Sequence, residues 1–287
     1  MQLYVQSRGI NQEYDYRWLK IKQDNQVPEI PPILQTQISD NSGTAFRVAD
    51  MIDSQVPSII LIRSNGELLL LVTALEAREE RIDFMGRRVR NSVVWIYPES
   101  NEQALRSLTV RALRGELQQE VDRAITIGGE YGFTVLFEEI SRLANPESID
   151  NYEADLKPKI GKNFLKLREE LALELERHKL PQRNGLLILL TSIKTKPALI
   201  EANVWRGLSN RLLNDDWEII PEKKILTGIW ILVLAVVIVL AIALLLIIII
   251  PQKIQPKMNS SPPPQINKIL EETNHSLVLF PKNLMSN

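Results

Sequence analysis

The sequence predicts an α+β cytosolic domain, an antiparallel β-meander followed by helices, with one C-terminal transmembrane helix. Three observations carry that prediction. Ile225–Ile250, ILTGIWILVLAVVIVLAIALLLIIII, runs through 26 residues without a charged side chain. Asn65-Gly66 sits between two strongly apolar runs, a hairpin signal because both turn positions tolerate positive φ. From Ser100 onward the apolar residues recur at helical rather than strand-like spacing.

The apolar run sets the frame. A span needs only about 18–20 such residues, and a helix is the form that satisfies its own backbone groups in lipid. Lys223 and Lys224 precede it, Pro251 and Lys253 follow it, and Trp230 lies near its start, as interfacial anchors do. It holds no ionisable side chain and no GxxxG, so an anchor is expected rather than an ion path.

On the N-terminal side, residues 1–99 read as β-rich. LYVQS opens with a short strand, and Ser7–Trp18 follows as a loop dense in Arg, Asp, Tyr and Trp. Residues 23–43 hold Pro28, Pro31 and Pro32 and read as irregular connection. Ser58–Ser64 and Glu67–Ala74 flank the Asn65-Gly66 turn, and their continuous apolar runs imply strands covered on both faces. A second pair, Arg81–Met85 with Arg87–Tyr97, is expected to meet at Gly86.

Residues 100–220 read as a mostly helical portion of the same cytosolic region. Helices are expected from Ser100 to Gly115, over Leu117–Ile125 before the break Gly128-Gly129, and over Phe133–Leu143. Asn163–Leu180 carries Leu167, Leu171 and Leu175 on one face. GLLILLT at 185–191 reads as a buried strand, and Pro197 starts a helix bearing Ile200, Val204, Leu208 and Leu212. Residues 225–250 are the transmembrane helix and 251–287 a short Pro-rich far-side tail.

Composition narrows the chemistry. There are 34 Lys and Arg against 35 Asp and Glu, a formal charge of −1, so the basic footprint of general nucleic-acid binding is missing. With no cysteine, disulfides, thiolate metal sites and cysteine nucleophiles are excluded. The two histidines, His178 and His275, fall on opposite sides of the expected span and give no metal site or Ser–His–Asp triad. No cofactor is expected, and the balance leans away from an enzyme. Adjacent pairs such as Glu138-Glu139 do not share a helix face and make no acid–base dyad.

The candidate ligand-binding residues are Arg8, Arg81, Asp83, Arg87, Arg88, Arg90 and Asn91. The guanidinium fork suits phosphate or carboxylate, and Gly86 lets backbone approach a ligand. The plain alternative is a solvated hairpin whose arginines pair with Asp83, Glu79 and Glu80. Two functions follow: a membrane-anchored cytosolic interaction or regulatory protein, or a sensor of a phosphorylated or nucleotide ligand with the span as effector or assembly element. The expected partners are the membrane, a protein partner or a second copy, and a phosphorylated small ligand.

No signal peptide is evident in MQLYVQSRGINQEYDYRWLK, so the N-terminal domain is expected in the cytoplasm of a single-pass protein of the inner or plasma membrane, with the tail across it. Protease added to intact cells or spheroplasts should spare residues 1–220. Their degradation from outside would reverse the orientation.

Overall fold

The computed structural model describes residues 1–40, 43, 45–145, 150–221 and 236–242. The chain divides into two units, Met1–Ile225 and Leu226–Asn287. In the second, 236–242 is helical with exposed side chains. The rest of the expected span and the expected tail lie outside the described residues, and no helix among the described residues is long and apolar enough to cross a membrane.

The first unit is an α+β domain built on a large mixed sheet. Strands β1 (Gln2–Ser7), β2 (Arg17–Lys22) and β3 (Asn25–Pro28) come first, followed by the short helix α1 (Pro32–Gln35) and a small separate hairpin, β4 (Gln37–Ser39) with β5 (Ala45–Arg47). The meander β6 (Ser58–Ser64), β7 (Glu67–Glu76) and β8 (Arg90–Pro98) then forms the middle of the sheet. Helices α2 (Glu102–Leu113) and α3 (Leu117–Arg123) follow, then the hairpin β9 (Ile125–Ile127) and β10 (Phe133–Val135), and α4 (Phe137–Arg142). The last stretch holds β11 (Lys159–Lys162), α5 (Leu165–Arg177), β12 (Gly185–Thr191), α6 (Lys196–Glu201), β13 (Arg206–Ser209) and β14 (Glu218–Ile219).

The ten-stranded order is β14-β11-β13-β12-β6-β7-β8-β1-β2-β3. β11, β13 and β12 run parallel to one another, and all other pairs in the sheet are antiparallel. The expectation of a meander followed by helices therefore needs correcting: residues 100–220 supply four strands of the sheet as well as helices. Val204, Leu208 and Leu212 do not continue a helix from Pro197. Asn203, at φ 50°, turns the chain out of α6, and Arg206–Ser209 slots between β11 and β12. Gly207 fits there because an added Cβ would lie 2.9 Å from Val204 and 3.1 Å from Ile160.

The expected helix break at Gly128-Gly129 is a hairpin turn instead. Ile125, Thr126 and Ile127 pair with Val135, Thr134 and Phe133, and the Thr126 and Thr134 hydroxyls meet at 2.6 Å. β-branched and aromatic residues on both sides of a glycine turn favour strand over helix. The clearest expected helix is present as α5, with Leu167, Leu171 and Leu175 buried.

The sheet is covered on both faces, as the continuous apolar runs imply. One face holds Leu68, Leu70, Val93 and Trp95 together with the inner residues of α2, α3, α4 and α5. The opposite face holds Ile60, Ile62, Leu69, Leu71, Val94 and Ile96 with Phe46, Val48, Met51 and Leu199. Two fully buried arginines tie the helical layer down. Arg106 of α2 donates to the Leu175 carbonyl of α5 and to the Asp150 carbonyl, and Arg206 holds Glu174 and the carbonyls of Asp155 and Lys157. A buried guanidinium is tolerable only with its donors met, and a cation at the end of α5 also complements the helix dipole.

Asn65 (φ 53°) and Gly66 (φ 78°) form the β6–β7 turn, both in the left-handed region. Nothing lies within 4 Å of a Cβ added at Gly66, so backbone strain alone governs replacement. Gly66→Val is expected to destabilise the first unit by about 1 kcal/mol or more. A thermal or chemical denaturation midpoint unchanged by the substitution would refute this.

Candidate functional site

The site grows out of an irregularity in the β7–β8 pair. Val72 faces Val93 and Leu75 faces Asn91, so Thr73 and Ala74 together oppose Ser92. Such a β-bulge adds one residue to one strand and re-aims the side chains that follow. Leu75 returns to the helix-covered face beside Val72, while Thr73 stays on the opposite face. Ala74 is held at φ 56°, a left-handed conformation that costs a residue with a Cβ about 1–2 kcal/mol.

Beyond the bulge the chain leaves the sheet and returns as β8. Asp83 organises this excursion. Its Oδ1 accepts the backbone N–H groups of Met85 and Arg87, and its own N–H donates to the Arg87 carbonyl at 2.8 Å. The expected strand pair Arg81–Met85 with Arg87–Tyr97 thus contracts to one bridge, Ile82 with Arg88, and β8 pairs with β7 and β1. A carboxylate that caps its own turn competes with a strand ladder for the same N–H groups.

The seven sequence-predicted residues divide into a buried set and a set in the wall of a cavity, and Asp83 belongs to both. Arg8, Arg81, Asp83 and Asn91 are buried. Arg81 donates to Asp122 of α3 at 2.6 Å and to the Ser7 hydroxyl at 2.8 Å. Asn91 donates to the same Asp122 and accepts the Ser7 hydroxyl proton. Arg8 reaches Asp83 at 3.4 Å, donates to the carbonyls of Gly9 and Tyr14, and lies between the rings of Tyr16 and Phe84 at 5.6 and 5.3 Å. These groups build the scaffold. Burial lowers the Arg81 pKa from its ordinary value, against the pull of Asp122.

Arg87, Arg88 and Arg90 lie with Asp83 in the wall of a cavity of about 870 Å³. The plain pairing reading holds for them in large part. Arg87 bonds Asp83 at 2.9 Å, Arg88 bonds Glu79 at 2.8 Å and Glu76 at 3.5 Å, and Arg90 bonds Glu76 at 3.2 Å. Glu80, expected among the partners, takes no part in these pairs, and Glu76 stands in its place. Of the lining residues, Asp53, Glu76 and Asp83 are acidic and the three arginines basic, so the wall carries no net formal charge.

The floor is a row of side chains across adjacent strands. Gln6 of β1 faces Trp18 of β2 on one side and Ser92 of β8 on the other, and Ser92 faces the Thr73–Ala74 bulge. Directly opposed residues have Cβ atoms about 4.5–5.5 Å apart, so neighbours in the row can serve one ligand. Tyr16 lines the wall, its hydroxyl accepting the Arg90 backbone N–H at 3.0 Å, and Leu34, Ala49 and Ile52 close the cavity from above. Asp53 accepts the Ser192 hydroxyl and the N–H groups of Gln55 and Val56. Those bonds, the Ser192 bond foremost, lower the Asp53 pKa. At Asp83 burial pulls upward, but the Arg87 and Met85 bonds outweigh it and the pKa also falls.

Sequence reasoning missed Gln6, Trp18, Asp53, Thr73, Ser92 and Asp122. A faint signal exists for the floor: in QLYVQ the polar residues alternate with Leu3 and Val5, which marks one face of β1 as partly polar. Nothing local distinguishes Asp122 from its neighbours in LQQEVDR. Among the described residues, no three His, Cys, Asp or Glu side chains are placed to hold a metal ion. No family model, curated protein or solved structure matches the chain.

Asp122 and Arg81 are almost fully buried, their side chains 1% and 3% exposed. Removing one partner of such a pair leaves an uncompensated charge and costs about 3–5 kcal/mol. Asp122→Asn is expected to destabilise the first unit on that scale and Arg88→Ala by less than about 1 kcal/mol. Equal losses in denaturation experiments would show that the two sets of arginines do not differ in role.

Proposed function

We propose that this chain is a membrane-anchored regulatory protein whose N-terminal unit binds a small ligand without transforming it. The observation that carries the proposal is the cavity with its row of polar side chains, Gln6, Ser92 and Thr73. A concave site of a few hundred to about 1,000 Å³ with a few convergent polar groups is the usual form of a ligand pocket. The bulge and the left-handed Ala74 lie at this floor, where irregular backbone is commonly retained for function.

Binding is favoured over turnover by the acidities of the wall. Asp53 and Asp83 are held below the ordinary carboxylate value, which makes them weak bases near neutral pH. The lining hydroxyls of Thr73 and Ser92 have no histidine or lysine beside them among the lining residues. The apolar segment at 225–250 supplies the expected anchor, so that occupancy of the cavity is read out at a membrane by a protein partner or a second copy.

The test is retention of a small molecule by the full-length chain purified in mild detergent. Denaturation followed by mass spectrometry should release a compound from the wild type, and adding that compound should raise the melting temperature. Ala49→Trp, at an exposed position lining the cavity, should fold normally and lose both effects. A compound that stabilises both proteins equally, or none from either, would refute the proposal.

A further inference from the structure

Among the cavity arginines, Arg90 is the one whose charge the domain satisfies least. It stands two residues before Ser92 on β8, and both line the cavity. Its side chain is only 24% exposed, and it has one ion pair, to Glu76 at 3.2 Å. Among the described residues its guanidinium makes no hydrogen bond. A largely buried charge is ordinarily both paired and hydrogen-bonded. None of the Arg90 nitrogens is sealed off, so these donors stay open to a ligand in the space they border.

The neighbouring arginines keep donors over as well. Arg87 directs Nε and Nη2 at Asp83 and leaves Nη1 unbonded. Arg88 gives Nη1 to Glu76 and Nη2 to Glu79 and leaves Nε unbonded. The carboxylates are shared. Glu76 lies 3.5 Å from Arg88 and 3.2 Å from Arg90, and Asp83 serves both Arg87 and the buried Arg8. Arg8, Arg87, Arg88 and Arg90 thus have three carboxylates between them, and the third, Glu79, is 83% exposed and screened by water. Asp53, the remaining acidic lining residue, makes no ion pair with these arginines; it holds Ser192 and the N–H groups of Gln55 and Val56. The formal charges of the lining cancel in sum, yet the arginine wall keeps an excess of donors.

A guanidinium offers donors only, and its strongest acceptors are the oxygens of phosphate and carboxylate. Trp18, Leu34 and Ile52 give the same cavity apolar surface. We infer that the cavity takes a small organic oxyanion, a phosphate ester or a carboxylate, whose charged group sits on Arg90 with Arg87 and Arg88. The rest of the ligand lies against Trp18, Leu34 and Ile52. No ion pair has to break, because the donors used are those without a partner. This rests on the binding reading proposed above and names its ligand class.

The experiment titrates the full-length chain in an uncharged detergent with paired probes: adenosine and adenosine 5′-monophosphate, glucose and glucose 6-phosphate, benzamide and benzoate. At least one anionic probe is expected to bind about tenfold or more tighter than its neutral counterpart, and to weaken as salt rises from about 0.05 to 0.3 M. Whether a phosphate or the carboxylate binds tighter identifies the acidic group. Arg90→Gln should weaken that binding by about tenfold or more and move the ligand-free melting temperature little, since the residue holds one partly exposed pair. Arg90→Lys, which returns the charge, should recover part of the affinity. A merely structural Arg90 would lower the melting temperature in both variants and leave the affinity of the folded protein unchanged, which would overturn its assignment. Neutral probes that bind as tightly as their anionic counterparts, or a neutral compound released from the purified chain, would refute the ligand class and leave the cavity reading standing. Anion binding that Ala49→Trp leaves unaltered would put the anion on the exposed guanidiniums and refute the seat in the cavity. An acidic compound released from the wild type and lost from Arg90→Gln would support the class even if none of the six probes binds. No probe bound and no compound released would refute the class and the binding reading together.

Discussion

The Asp122 carboxylate is the constraint on which this architecture turns. It stands on α3, yet its oxygens receive Arg81 and Arg78 from the excursion after β7 and Asn91 from β8. Arg81 passes the connection on to Ser7 at the end of β1. One buried anion therefore fixes a helix, a loop and two strands in mutual register. Because side chains alternate along a strand, fixing Asn91 toward the helices turns Arg90 and Ser92 the other way. The two chemistries are back to back: a charged, buried network under the sheet and a neutral row of polar side chains above it.

That arrangement alters the meaning of an arginine cluster. Three arginines in four residues look like a demand for an external anion. Here carboxylates within the domain pair with them, Glu76 at the end of β7 and Glu79 and Asp83 on the excursion that follows. Arg87 and Arg88 remain substantially exposed, their side chains 61% and 45% accessible, in the lining of the cavity.

How far the sequence announces all this depends on how local the determinant is. The Asn65-Gly66 turn, the apolar strands around it, GLLILLT and the leucine stripe of α5 are legible because each is decided within a dozen residues. Arg206–Ser209 and Lys159–Lys162 are not, since four-residue strands carry almost no periodicity and pair across a separation of more than forty residues. The same limit applies to the site. The spacing of the arginines and of Asp83 is readable, and so is their internal pairing. The floor row is not, because it exists only once the bulge sets Thr73 against Ser92 and β1 lies beside β8. Asp122 belongs to a helix with an ordinary amphipathic pattern, and only the folded sheet gives it partners.

The strand order also dictates a history for the chain as it leaves the ribosome. Ser58–Ser64 acquires Glu67–Glu76 across a two-residue turn almost as soon as both are made, and its other neighbour, Gly185–Thr191, is not yet synthesised. Until then SIILIRS presents an apolar strand with an unpaired edge near the centre of the future sheet, the kind of edge that other chains pair with. A nascent chain halted before residue 185 would carry that edge unprotected. Gly185–Thr191 thus acts as the late strand that seals the sheet, and the span of translation before its arrival is the interval in which a chaperone has most to do.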